Sequence, residues 1–89
     1  MKILLLEDNT TDADLTKRGL SSSIPNCYIE IATTLKQARE MLKEVTTFDV
    51  ALLDMKLPDG NGLDLLLEIR QAELNMAVVM LTGSGNEEV

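Results

Sequence analysis

The chain predicts an α/β fold built on a parallel sheet, and three observations carry that expectation. Four short apolar runs alternate with three segments of helical spacing, a pattern that calls for crossover connections rather than hairpins. Two of the runs, Val50–Asp54 up to its final acid and Ala77–Leu81, are unbroken, the pattern of strands buried on both faces. Polar groups close the runs: Glu7 and Asp8 after the first, Asp54 at the third, Thr82 after the fourth. Open α/β sheets place ligand chemistry at the carboxyl ends of their strands.

Taken in order, residues 3–6 are an apolar run closed by Glu7, Asp8 and Asn9, which reads as the first strand. Thr11 and Asp14 have the spacing of a capping box, opening a helix of about ten residues toward positions 21–23. Gly19 inside it lowers helix propensity and is expected where the helix approaches the sheet closely. Ile24, Pro25 and Asn26 make a turn. Cys27, Ile29 and Ile31 then alternate with Tyr28 and Glu30, the period-two mark of a strand nearer an edge.

Thr33 or Thr34 can cap the second helix, where Leu35, Ala38, Met41, Leu42 and Val45 share one face. Lys36, Arg39, Glu40 and Lys43 lie opposite. After the Asp54 strand, Pro58, Gly60 and Gly62 punctuate a sharp loop. A third helix carries Leu63, Leu66, Leu67 and Ile69 and ends at Asn75. The fourth strand runs into Thr82, Gly83, Ser84 and Gly85, and Ser84 with Glu87 spells a second capping box for a helix beginning near Asn86.

Three helices cover four strands poorly. The expectation is a single domain, residues 1–89, that is incomplete at its C-terminus. Its fourth strand, left as an edge, would favour a homodimer or a domain-swapped assembly.

Composition narrows the function. Of 89 residues, 45% are hydrophobic, 26% charged and 2% aromatic, and the formal net charge is −7. That charge opposes direct nucleic-acid contact and suits a cation or a basic protein partner. With Tyr28 and Phe48 as the sole aromatics, base-stacking platforms are missing. The absence of histidine excludes Ser-His-Asp catalysis and most zinc sites. The single Cys27 forms no internal disulfide, and no apolar stretch has membrane-spanning length, so a cytoplasmic location without membrane contact is expected. The two-glycine loops at 60–62 and 83–85 lack a nucleotide-binding signature and read as turns. The five methionines read mostly as core filler, and Asp59 and Asp64 as turn and helix-start acids.

Neighbouring strands lie about 4.8 Å apart, so adjacency of the first and third would bring Asp8 and Asp54 nearly into contact. Two carboxylates at about 4 Å repel by about 1 kcal/mol in water and about 4 kcal/mol at an effective dielectric of 20. A cation resolves that conflict, and a donor set of oxygens alone selects a hard ion, Mg²⁺ before Mn²⁺ or Ca²⁺. A carboxylate beside such an ion can act as nucleophile toward a phosphoryl group, with the Thr82 hydroxyl donating to a transferred oxygen. The charge added at the strand end could then re-dock neighbouring elements.

Glu7-Asp8, the segment Leu-Leu-Asp54-Met-Lys-Leu-Pro58-Asp-Gly60-Asn-Gly62-Leu, and Leu-Thr82-Gly83 together resemble the receiver domain of two-component response regulators. The resemblance runs in order from Lys2 to Val89. It implies a flavodoxin-like parallel sheet of order 2-1-3-4-5 with helices on both faces. Asp54 would accept a phosphoryl group from the phosphohistidine of a sensor histidine kinase or phosphotransfer protein. Asp8, Asp54 and the Lys56 backbone carbonyl would bind Mg²⁺ directly, and Glu7 through water. Thr82 and Gly83 would contact the phosphate, while Lys56 and Ser84 would tune dephosphorylation. Glu7 stands where Asp is commoner in that family, and the family's lysine after strand five has no counterpart here.

Two other functions fit the same residues. A degenerate receiver would keep the acids and serve only as a protein-interaction scaffold. An Mg²⁺-dependent aspartyl-phosphate phosphatase would want a second acid two residues after Asp54, where Lys56 stands, and an ammonium of pKa about 10.4 is a weak proton donor near neutrality. The expectation is therefore a phosphorylated signalling domain rather than an enzyme.

Overall fold

The computed structural model describes residues 1–44 and 48–81. In chain order the elements are β1 (Lys2–Leu6), α1 (Thr10–Ser23), β2 (Tyr28–Ala32), α2 (Leu35–Glu44), β3 (Val50–Asp54), β4 (Lys56–Leu57), β5 (Gly60–Asn61), α3 (Gly62–Gln71) and β6 (Ala77–Leu81). Four strands make a parallel sheet of order β2-β1-β3-β6, and β4 pairs antiparallel with β5 in a small separate hairpin.

The alternation of side chains along β1 explains why its sequence is apolar throughout. Ile3 and Leu5 face one side of the sheet with Ala13 of α1 and Ile29 of β2. Leu4 and Leu6 face the other, with Leu35 and Ala38 of α2 and Leu65 and Ile69 of α3. All four β1 residues are almost wholly excluded from water, each such burial being worth about 1.5–3 kcal/mol. Helices thus cover both faces, α1 on one and α2 with α3 on the other. Arg39 of α2 forks onto both carboxylate oxygens of Glu68 in α3, with the shortest N···O distance 2.7 Å, and ties the latter two together.

The N-terminus of α2 is completely accounted for. Leu35 and Lys36 donate their N–H groups to the two carboxylate oxygens of Asp59, at 2.8 and 3.0 Å. Gln37 N–H donates to Thr34 Oγ1 and Ala38 N–H to the Thr34 carbonyl. The cap is therefore Thr34 assisted by Asp59, 24 positions beyond Leu35, and the Leu35 and Lys36 bonds hold the Asp59 carboxyl below the usual range.

Several local expectations are corrected. Asn9, not Thr11, caps α1: its side chain accepts the Asp12 N–H, which starts the helix earlier than the capping-box spacing suggested. Gly19 is exposed with open space around it, so it marks no close approach to the sheet. On α3, Leu65 and Ile69 are buried while Leu63 and Leu67 are 41% and 59% exposed. That helix also stops at Gln71, with Glu73 in the left-handed region, so Asn75 lies beyond its end. The β4–β5 hairpin adds order around the Pro58–Gly62 loop, its strands Lys56–Leu57 and Gly60–Asn61 flanking Pro58. Finally, β6 is only half covered: Val78 and Met80 pack on the α2–α3 side, whereas Val79 is 46% exposed on the other. Among the described residues it is an edge strand with one face partly bare, as the sequence led us to expect of the fourth strand. Val45 and the helix expected near Asn86 lie outside the described residues.

Two glycines separate conformational from steric roles. A Cβ on Gly62 would collide with the Asp54 carbonyl, so Gly62→Ala should destabilise the fold by about 1–3 kcal/mol or more. Gly19→Ala should instead stabilise it by about 0.4–1 kcal/mol; chemical denaturation of the two variants checks both. Because the folded-state pKa of Asp59 is depressed, its contribution is present above the ordinary aspartate value of 3.8 and is lost as pH falls through the folded value. The stability gap between wild type and Asp59→Asn should accordingly be full above about pH 5 and close in acid, as followed by thermal unfolding across pH.

Candidate functional site

Asp54 ends β3, the strand flanked by β1 and β6. Leu6 pairs with Leu53, so the residue after β1 comes level with Asp54 and the next lies just beyond. Glu7 keeps strand geometry by donating its N–H to the Ala32 carbonyl at 2.9 Å. The expected convergence of the strand-end acids holds: Glu7, Asp8 and Asp54 each place a carboxylate oxygen within 4.8 Å of the others. Asp54 is 7% exposed and is the buried charged residue of the described chain; Glu7 is half-buried and Asp8 exposed.

Burial is the main influence that holds the Glu7 carboxyl above its ordinary range. The Asn9 N–H, donated to Glu7 Oε2 at 3.2 Å, works against it. The Asp54 charge, a hydrogen bond shared with Asp54, and Asp8 add to the rise. Three hard oxygen donors, one of them in a dry strand end, have the chemistry of a divalent-cation site.

The loop after Asp54 turns back on the same strand. Gly62 N–H donates to the Met55 carbonyl at 2.9 Å, and its Cα lies against the Asp54 carbonyl where no side chain would fit. Asn61 Oδ1 accepts the Leu63 N–H at 2.8 Å and starts α3. Lys56 lies in β4 with an exposed side chain and pairs with Asn61. Thr82, Gly83 and Ser84 lie outside the described residues.

Three residues of this neighbourhood were missed from sequence. Asn9 had a signal, being a strong N-cap type three residues before Asp12. Gly62 was read only as a turn glycine, although it underlies Asp54. Asp59 had no local signal at all, since its partners lie 24 and 23 residues away.

A sequence profile of the response regulator receiver domain matches residues 3–89. The chain belongs to that family. Among curated relatives, the cell cycle transcriptional regulator CtrA of Caulobacter vibrioides is 34% identical over 84 residues, which cover 94% of this chain and 35% of that protein. Response regulator protein PilR of Pseudomonas aeruginosa is 46% identical over 55 residues, covering 62% of this chain and 12% of that one. This receiver thus spans about a third of the length of CtrA. Among solved structures, the MaeR response regulator bound to beryllium trifluoride superimposes with a TM-score of 0.87 at 28% identity, over 98% of this chain and 70% of that chain. The non-phosphorylated HemR receiver domain from Leptospira biflexa gives 0.81 at 31% identity, over 97% and 67%. The flavodoxin-like fold read from the sequence is borne out, and Asp54 occupies the position expected of the phosphorylated residue in such receivers. No helix of the described residues is long and apolar enough to cross a membrane.

Glu7 carries the clearest electrostatic prediction. With its folded-state pKa raised, stability is fullest below the ordinary glutamate value of 4.5 and falls as pH rises through the folded value. Glu7→Gln should therefore raise the melting temperature near neutral pH in chelator, and saturating Mg²⁺ should abolish most of that advantage; calorimetric melts with and without the ion check it.

Proposed function

We propose that this receiver accepts a phosphoryl group on Asp54 from the phosphohistidine of a sensor histidine kinase or phosphotransfer protein. The observation that carries the reading is the convergence of Glu7, Asp8 and Asp54 within 4.8 Å at one rim of the sheet. A carboxylate oxygen of Asp54 attacks phosphorus, the N–P bond of the donor breaks, and the imidazole nitrogen keeps the electron pair. Asp8, Asp54 and the Lys56 carbonyl would hold Mg²⁺, with Glu7 acting through water. When bound, the ion would neutralise charge on the transferring oxygens.

Strand placement supports the remaining roles. Leu81 pairs with Asp54 in the sheet, so Thr82 follows directly from the position beside the acceptor. Thr82 would donate its hydroxyl to a phosphoryl oxygen, with Gly83 allowing close backbone approach. Lys56 and Ser84, each two residues past a site residue, would set the lifetime of the acyl phosphate. That the similar MaeR response regulator has been solved bound to beryllium trifluoride is consistent with anion capture by a receiver of this fold. The chain would act as a cytoplasmic receiver switch that can self-associate, rather than as a turnover enzyme.

Incubation with Mg²⁺ and acetyl phosphate should add the mass of one phosphoryl group, and Asp54→Asn should abolish the gain. An unchanged mass for wild type, or a gain that survives Asp54→Asn, would remove Asp54 as acceptor.

A further inference from the structure

We propose that Asp59 is a positioning residue for the metal and phosphoryl site, acting through the β4–β5 hairpin. The inference rests on the reading of Asp54 and the Lys56 carbonyl given above. The hairpin has only two paired positions, Lys56 with Asn61 and Leu57 with Gly60. A ribbon that short has no stability of its own, so its place is set by what grips it from outside.

Two anchors are present. At the base, Gly62 donates to the Met55 carbonyl and lies against the Asp54 carbonyl. At the tip, both Asp59 oxygens accept N–H groups from Leu35 and Lys36, the first turn of α2. The adjoining Gly60, at φ 152°, lies so near the buried Leu35 that a Cβ would come within 2.6 Å of Leu35 Cδ1. Leu35 is itself core, packed with Leu4, Leu6 and Leu53. The tip is therefore fastened to a helix that cannot shift without disturbing the sheet.

Lys56, whose backbone oxygen is the one proposed ligand not carried by a strand-end acid, sits between the two anchors. Removing the Asp59 carboxylate releases the tip and leaves the base to locate that oxygen alone. The acids on β1 and β3 would stay where they are. Asp59 thus touches no reacting atom, and its effect should appear as a weakened ion site rather than a lost nucleophile.

The full chain has no tryptophan, so Mg²⁺ binding is best read by titration calorimetry, alongside the rate of mass gain from acetyl phosphate. Asp59→Ala should weaken Mg²⁺ binding by about tenfold or more, in line with other residues that orient a metal ligand from behind. Its phosphorylation should be slowed at low Mg²⁺ and restored at saturating Mg²⁺. Asp59→Asn, which keeps one acceptor oxygen, should fall between and guards against simple unfolding. Thr34→Ala is the control for helix capping, because it removes the acceptor of the Gln37 N–H without touching the hairpin. It should lower the melting temperature yet keep Mg²⁺ affinity within about twofold. Wild-type Mg²⁺ affinity in Asp59→Ala, or equal weakening by Thr34→Ala, would overturn the proposal while leaving Asp54 as acceptor. A wild-type chain that gains no mass would overturn the underlying reading and the positioning role together.

Discussion

Three carboxylates held with oxygens inside 4.8 Å of one another are the constraint on which the rest of this structure depends. At that separation each ionised pair repels by about 3 kcal/mol at an effective dielectric of 20, and Asp54 is also largely withdrawn from water. The acids cannot relax apart, because the strands carrying them are locked in register by the core. Leu4, Leu5, Leu6, Ala51 and Leu53 are all completely buried on β1 and β3. Hydrophobic burial thus imposes an electrostatic conflict, which a cation or a proton on Glu7 relieves. A site of that kind is poised to respond to charge.

Around the acceptor, rigidity is distributed unevenly. The acids stand on strands, whereas the following backbone runs through a two-residue ribbon that must be held at both ends. Gly62 is required at one end by the Asp54 carbonyl, and Asn61 immediately hands the chain to α3. At the other end Asp59 joins the loop to α2, and Arg39 joins α2 to α3 through Glu68. Loop and helices close a ring of contacts on the α2–α3 side of the sheet. No equivalent ring exists among the described residues on the α1 side.

What could be read from the sequence follows from how far each signal travels along the chain. The apolar runs of β1 and β3, and the acids that end them, are local, and the convergence of Asp8 with Asp54 then follows from a parallel sheet with adjacent strands. Glu7 was legible in the same way, as a strand-end acid on that edge, and the strand pairing that continues past Leu6 holds it there. Leucines at 63, 65, 66 and 67 allow more than one inward face, and only the position of the sheet selects Leu65 and Ile69 over Leu63 and Leu67. The Asp59 cap depends on a meeting between residues 24 apart, which no window of local pattern contains.

The sheet also differs in cover on the two sides of Asp54, and this bears on where a change there would be felt. Toward β1 the neighbouring residues are buried on both faces, so displacement would open a packed core. Toward β6 the partner strand alternates between half-buried and exposed residues, with Val79 46% exposed. Displacing weakly covered structure costs less than displacing core. Asp54 pairs with Leu81, the last residue of that strand, so the less restrained neighbour is also the one that leads directly into Thr82. Among the described residues, then, the cover beside Asp54 is unequal: close-packed toward β1 and thinner toward β6, on the strand that ends beside the acceptor.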